Sequence, residues 1–191
     1  MAEAIALWRS SVDPRGTVVE RYLASRGLDL GDDIAGEVIR WNAGVGAMIA
    51  LFRNISTNRP HAISRTFFDA NARKIARRFL GPVGGCAIKL DANAEVLTGL
   101  HIGEGLETCI AARQLGLRPC WALGSAGAVA AFPILSGIEA LTVIVDHDES
   151  GAGEKAARAV EARWLPAGKE ANLLRSDAPG DFNDLLKGAA A

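Results

Sequence analysis

Apolar residues recur at helical spacing within residues 2–26, and this pattern predicts two short helices. Asp13-Pro14 separates the two segments, because proline lacks a backbone donor and clashes with a preceding helical turn. Gly27 then provides a plausible stop for the second helix. The apolar positions that mark this second helix are Val18, Val19, Tyr22 and Leu23.

Short β-like runs follow, each bounded by Gly, Asn, Pro or Asp residues that favour turns. A polar loop over residues 54–60 joins the second run to the third, so we expect these two to be antiparallel neighbours. Residues 73–78 are interpreted only as a basic stretch. The four predicted runs are residues 38–41, 48–53, 62–68 and 86–90.

From residue 96 onward, predicted strands alternate with predicted helices. The strand 141–145 is apolar on both faces and rich in β-branched residues, as a central parallel strand should be. The fold class is therefore α/β, with a mostly parallel sheet flanked by helices after a small α+β subdomain. A junction near residues 91–95 divides the chain into domains 1–94 and 95–191. The predicted strands are 97–102, 120–123, 141–145 and 171–174, and the predicted helices are 106–115, 125–132, 153–164 and 182–186.

The composition is that of a globular protein: 191 residues, 49% apolar and 23% charged. Because the net charge is only -1, any nucleic-acid binding has to come from a local basic patch. The three cysteines and three histidines form no C-x-x-C pair, which argues against zinc and against a disulfide framework. No apolar run reaches the roughly 18 to 20 residues that span a bilayer, so we expect a cytoplasmic protein without a membrane partner.

Acidic residues follow three of the predicted strands. Glu104 comes after the first strand of the second half, Asp146 and Asp148 follow the strand 141–145, and Asp181 follows the last strand. Because ligands bind at the carboxyl ends of parallel strands, we expect these carboxylates to converge. Ligands that are all oxygen select Mg²⁺ or Mn²⁺, and carboxylates around such ions handle transferring phosphates. A single strand-end aspartate often only caps a helix, so the prediction depends on all three groups together.

Three motifs together resemble a Toprim domain, the metal-binding fold shared by bacterial primases, topoisomerases and certain nucleases. Their form is similar to that of Toprim proteins of phage and plasmid primase-like type, and residues 48–54, 62–69 and 77–81 resemble the N-terminal subdomain of a primase catalytic core. The motifs are Leu100-His101-Ile102-Gly103-Glu104-Gly105, residues 143–151, and Gly180-Asp181-Phe182-Asn183-Asp184-Leu185-Leu186.

This resemblance implies a Mg²⁺-dependent nucleotidyltransferase that makes short primers on single-stranded DNA during replication. It implies that Glu104 is the catalytic acid or base and a metal-site residue, that Asp146 and Asp148 are catalytic metal ligands, and that Asp181 is a further ligand. NTPs are the implied substrates, with a helicase or a zinc-module protein acting in trans. The basic residues expected to contact phosphates, for each of which a solvated face is the alternative, are Arg53, Arg65, Lys74, Arg77 and Arg78.

The sequence departs from that family in two respects. Many primase-type Toprim sites carry another acid four positions after the glutamate, where this chain has Thr108, preceded by Glu107. We interpret Glu107 as an acid in the first turn of a helix. The sequence also contains neither a zinc-binding module nor the phosphate-binding loop of a helicase. The resemblance is therefore restricted to the catalytic core.

Two other functions stay open at this level. One is a metal-dependent nuclease that uses the same acids to activate water, and the other is a non-catalytic Toprim module that binds nucleic acid or a replication partner. A topoisomerase is disfavoured because the one tyrosine, Tyr22, lies in a predicted N-terminal helix with an apolar face. A receiver-type phosphoacceptor fold is disfavoured because residues 175–177 do not supply the lysine it needs.

Overall fold

The computed structural model describes residues 1–146 and 151–175. The chain divides into two compact units, Met1–Lys89 and Leu90–Ala191. The predicted helix 182–186 lies outside the described residues. Among the helices that are described, none has the length and apolar character needed to cross a membrane.

The first unit begins with the two predicted helices, α1 (Ala2–Arg9) and α2 (Val18–Ser25). Helix α2 starts after Thr17, whose hydroxyl oxygen accepts a hydrogen bond from the backbone N–H of Val19 at 3.2 Å. It ends before Gly27, which has a φ of +73° that other residues rarely adopt. The predicted stop of this helix at Gly27 is therefore confirmed.

Five strands complete the first unit, and every pairing among them is antiparallel. The neighbours run in the order β4-β3-β2-β5, with β1 also paired to β2. The predicted antiparallel pairing of the second and third runs is confirmed, and it sets Ile49 opposite Arg65. The strands are β1 (Ile39–Asn42), β2 (Ala47–Asn54), β3 (Pro60–Phe68), β4 (Lys74–Leu80) and β5 (Cys86–Lys89).

Strand β4 is the stretch that the sequence pattern identified only as basic. It hydrogen-bonds along β3, and Lys74, Arg77 and Arg78 are all exposed on it. Positive charge is a common feature of exposed strands because it opposes pairing with other chains. The strand shows no apolar alternation, since little of it is buried, and this is why the pattern did not reveal it.

The second unit alternates strands and helices, as predicted. Its described strands are all parallel and lie in the order β7-β6-β8-β9. This confirms the α/β class and the mostly parallel sheet. The elements are β6 (Gly99–Gly103), α3 (Leu106–Gln114), β7 (Cys120–Ala122), α4 (Ala126–Ala130), β8 (Ala140–Val145), α5 (Ala152–Trp164) and β9 (Glu170–Arg175).

A buried charge cluster stabilises the amino-terminal side of this sheet. The Asp91 carboxylate accepts hydrogen bonds from Arg113 Nε and Nη2 at 3.0 and 2.9 Å, and from Arg118 Nε at 2.9 Å. It also accepts one from the backbone N–H of Cys120 at 2.7 Å, at the first residue of β7. The Asp91 side chain is 0% exposed and that of Arg113 is 6% exposed. The cluster therefore joins α3 to β7 through a fully desolvated acid.

Candidate active site

Glu104 is held in the turn that connects β6 to α3. Its backbone carbonyl accepts a hydrogen bond from Gly124 N–H at 2.9 Å, and the Gly103 carbonyl accepts one from Leu123 N–H at 2.9 Å. These bonds attach the turn after β6 to the turn after β7. The half-buried Glu104 side chain is thus presented from a fixed backbone at the carboxyl edge of the sheet.

The two glycines beside Glu104 are required by close packing. A Cβ on Gly103 would lie 2.8 Å from the Cys109 sulfur, and a Cβ on Gly105 would lie 2.8 Å from Thr108 Oγ1. Gly105 has a φ of -85°, which any residue can adopt. Lack of space, and not backbone conformation, therefore explains the glycine at position 105.

Glu104 and Asp146 line the same pocket. Strands β6 and β8 pair in register with Gly103 opposite Ile144, so Glu104 and Asp146 both emerge just beyond the ends of adjacent strands. The pocket and the open solvent at its mouth together occupy about 330 Å³. Its lining residues are Glu104, Ala126, Val129, Val143, Ile144, Val145, Asp146, Gly153 and Ala156.

The start of α5 forms one wall of the pocket. A Cβ on Gly153 would lie only 2.6 Å from Val145 Cγ1, so the missing side chain allows α5 to approach the end of β8. The first turn of a helix carries partial positive charge, which favours a phosphate. The pocket therefore combines two carboxylates with a helix N-terminus.

The Asp146 carboxylate accepts a hydrogen bond from a hydroxyl group that lies outside the pocket. Thr108 Oγ1 donates to Asp146, at 2.9 Å from Oδ2 and 3.2 Å from Oδ1. The sequence pattern identified Thr108 only as a departure from the family and gave it no role. Glu107 lies buried in the first turn of α3, in agreement with its interpretation as a helix-start acid.

Two of the four predicted carboxylates can be placed. Asp148 and Asp181 lie outside the described residues, and within residues 1–146 and 151–175 no group of three or more His, Cys, Asp or Glu could hold a metal. The two that are placed, Glu104 and Asp146, offer oxygen ligands in an open pocket, which suits Mg²⁺ or Mn²⁺. Burial, the neighbouring Cys120 and the charge of Asp146 raise the pKa of Cys109 well above its ordinary value, so this nearby thiol stays protonated and is a poor metal ligand.

The predicted basic residues of the first unit fall into separate groups. Arg65 and Arg78 are directly opposite each other on β3 and β4. Arg77, next to Arg78 in β4, lies on the other face of the sheet, because successive strand residues alternate between faces. Its guanidinium carbon lies 5.4 Å from the centre of the Phe79 ring. Lys74 lies beyond a register shift, opposite Phe68. Of the predicted basic residues on β3 and β4, Arg65 and Arg78 are thus the two that form a cross-strand pair.

Arg65 has unused donor capacity. Its Nη2 donates to the Phe79 carbonyl at a long 3.5 Å, and its buried Nε has no hydrogen-bond partner among the described residues. Two like charges directly opposite each other on neighbouring strands repel. An anion bound between Arg65 and Arg78 would relieve this repulsion.

Arg53 belongs to a second basic group, with a lysine that the sequence pattern did not single out. Arg53 Nη1 donates to the Asn58 carbonyl at 3.3 Å, and Lys89 Nζ donates to the Ile55 carbonyl at 3.1 Å. Burial, followed by the positive charge of Arg53, lowers the pKa of Lys89 to about 8. A lysine at the end of the otherwise apolar strand β5 was the sequence feature that could have indicated this group.

Each half of the chain matches a known protein family. Residues 99–191 match the family described as Toprim domain, and residues 1–90 match a domain of unknown function (DUF7146). No curated protein matches the sequence.

Solved structures of primases are similar over almost the whole chain. A DNA primase domain from Pseudomonas aeruginosa matches 98% of this chain and 74% of its own, with 16% identity and a TM-score of 0.64. A primase catalytic domain bound to single-stranded DNA matches 97% of this chain and 73% of its own, with 15% identity and a TM-score of 0.62.

A bacteriophage T7 assembly has a similar chain as well. It contains lagging-strand DNA polymerase and primase domains bound to an RNA/DNA hybrid and dTTP, and it matches 89% of this chain and 81% of its own, with 17% identity and a TM-score of 0.54. At these identities the likeness concerns the fold. Residues 99–191 match the Toprim domain family, and the chain has the fold of a DNA primase catalytic core.

Proposed function

We propose that this chain is a primase-like, Mg²⁺-dependent nucleotidyltransferase that synthesises short oligonucleotide primers on single-stranded DNA. The observation that carries the proposal is the pocket shared by Glu104 and Asp146 at the carboxyl edge of a Toprim sheet, in a chain with the fold of a primase core. The similar structures that contain single-stranded DNA, or an RNA/DNA hybrid with dTTP, support the substrate class.

In this proposal, the carboxylates have two roles, proton transfer and metal binding. In the reaction, the 3′-hydroxyl of the primer forms a bond to the α-phosphorus of an NTP, the bond to pyrophosphate breaks, and the hydroxyl proton has to leave. Glu104 would accept that proton or organise the metal site, while Asp146, Asp148 and Asp181 would hold Mg²⁺. The bound ion would supply charge neutralisation at the phosphates.

Template binding is assigned to the basic residues of the first unit. Arg65 and Arg78 have the strongest support, because they place two cations directly opposite each other on neighbouring strands. Such contacts act chiefly through charge, so template affinity should fall steeply as salt rises. We assign template selection to a helicase or a zinc-module protein acting in trans, the partners that the resemblance to primases implies.

The test is an NTP-incorporation assay run beside a plasmid-nicking assay, on wild type and on Asp146→Asn, with Mg²⁺ or Mn²⁺. We expect wild type to extend primers on single-stranded DNA and Asp146→Asn to lose this activity. Asp32→Asn is the matched control, because the Asp32 side chain is 94% exposed and far in sequence from the pocket residues.

Each outcome has a distinct meaning. If wild type makes no oligonucleotide, even with a zinc-module primase partner added, the polymerase assignment is wrong. Nicking that depends on Asp146, without incorporation, would identify a nuclease. Binding of single-stranded DNA with neither activity, unchanged in Glu104→Gln, would identify a non-catalytic module.

A further inference from the structure

Thr108 lies behind the pocket and does not line it. It is the third residue of α3, is only 4% exposed, and is absent from the residues that surround the open volume. Its hydroxyl nevertheless reaches the pocket through Asp146, to which it donates at 2.9 Å. Thr108 therefore has a direct contact with a residue that lines the pocket, although it does not line the pocket itself.

The hydroxyl has one proton, and its oxygen lies within 3.2 Å of both Asp146 oxygens. A donor on a rigid helix restricts rotation of the carboxylate about its last torsion, which is otherwise broad. The bond also leaves carboxylate lone pairs free, because each oxygen can accept more than one contact. Asp146, which also lines the pocket, is thus oriented from the helix side.

The chain makes space for this contact at a second position. A Cβ on Gly105 would lie 2.8 Å from Thr108 Oγ1, although the backbone at Gly105 would permit any side chain. The glycine that follows the candidate catalytic glutamate therefore accommodates the hydroxyl. Two independent features, the hydrogen bond and the cleared space, point to the same atom.

We propose that Thr108 is a positioning residue that orients Asp146 for a divalent cation, an inference that rests on the proposed function. Thr108 contributes no charge of its own, so its effect is on the geometry of Asp146. Partners that orient a metal ligand in this way commonly change metal affinity or activity by about 10–100-fold when they are removed.

The experiment measures Mn²⁺ binding to the full chain by electron paramagnetic resonance of the free ion. Thr108→Val removes the hydroxyl at nearly constant volume, and Thr108→Ser retains it. Thr142→Val is the matched control, since Thr142 is a half-buried residue of β8 for which no hydroxyl hydrogen bond is described. We expect Thr108→Val to weaken Mn²⁺ binding about 10-fold or more, while Thr108→Ser and Thr142→Val stay close to wild type.

A second measurement separates positioning from general damage. Primer synthesis by Thr108→Val should recover towards the wild-type rate as Mn²⁺ is raised to saturation, because the carboxylate is still present. Circular dichroism checks the fold, and Thr108→Ala, which suits a helix interior, takes the place of Thr108→Val if the valine variant does not fold.

The results distinguish this inference from the function on which it rests. If wild type binds no Mn²⁺, or Asp146→Asn binds it equally well, the metal site fails and the inference fails with it. If binding requires Asp146 but Thr108→Val binds as tightly as wild type, or Thr108→Ser is as weak as Thr108→Val, only the positioning role is overturned.

Discussion

The acidic residues at the two ends of the parallel sheet in the second unit differ in burial and in charge pairing. At the amino-terminal side, Asp91 is fully buried and its charge is matched by Arg113, Arg118 and a backbone N–H. At the carboxyl side, Glu104 and Asp146 are half-buried around an open pocket. For the Glu104 side chain, the described residues include no hydrogen-bond or ion-pair partner. An acid that is already matched stabilises the fold, whereas an acid that faces open space is available for a ligand.

Replacing Glu104 should affect activity far more than stability. We expect Glu104→Gln to lower NTP incorporation by about 10²–10⁴-fold, because a group that moves a proton in the transition state is lost. The free energy of unfolding should change by less than about 0.5 kcal/mol. Both quantities are measured on one preparation, by incorporation of labelled NTP and by urea denaturation.

Glu161→Gln, an exposed position on α5, is the control for this substitution and should leave both quantities unchanged. Full activity in Glu104→Gln would contradict the assignment of a functional role to the acid at the carboxyl end of the sheet.

Replacing Asp91 should affect stability directly. Asp91→Asn removes the charge that Asp91 places against the buried guanidinium of Arg113, and breaking a buried pair typically costs about 3–5 kcal/mol. Urea denaturation of wild type and variant gives the difference in the free energy of unfolding. Asp32→Asn, at an exposed acid, should change it by less than about 0.5 kcal/mol. A loss no greater than that of this control would mean that the Asp91 cluster does not stabilise the unit.

Lys89 extends the comparison to a buried positive charge. Its pKa is about 8 in the folded protein and about 10.4 in an unfolded chain, so the unfolded state binds more protons between these values. Stability should therefore rise as the pH is increased from about 8 to 10.4, by at most about 3 kcal/mol from this group. Below pH 8 the group is protonated in both states and its penalty is constant.

The free energy of unfolding measured across this pH range tests the expectation. Lys89→Met should flatten the rise, while Lys155→Met, at an exposed lysine of α5, should leave it intact. An identical pH dependence in Lys89→Met and wild type would show that another group is responsible.

The smallest expected effect concerns the wall of the pocket. Gly153→Ala would place a methyl group 2.6 Å from Val145 Cγ1, and such overpacking costs about 1–3 kcal/mol. Gly127→Ala is the control, because its Cβ would meet nothing closer than 4.0 Å and alanine favours a helix by up to about 1 kcal/mol over glycine. Thermal unfolding compares the stability of the Gly153→Ala and Gly127→Ala variants. Adding Val145→Ala to Gly153→Ala should restore part of the lost stability, because it removes the methyl group that is too close. Equal melting temperatures for both glycine variants would contradict the close packing of α5 on β8.

Local patterns were enough to predict most of the fold. Strand β8 was recognisable because a parallel strand buried on both faces is continuously apolar, and α2 was recognisable from its spacing and its glycine stop. Strand β4 was not, because an exposed strand rich in cations has no apolar alternation. The expectation that Glu104 and Asp146 share one edge followed from strand order alone, since parallel strands end on the same side.

The sequence by itself determined the succession of elements and the position of acids after strands, because both follow from the local chemistry of neighbouring residues. Only the tertiary structure decided which charges are matched and which are free. Asp91 meets Arg113 across 22 positions of sequence, and Thr108 meets Asp146 across 38. Such contacts depend on the packing of helices against the sheet to within a fraction of an ångström, and no local pattern encodes that distance.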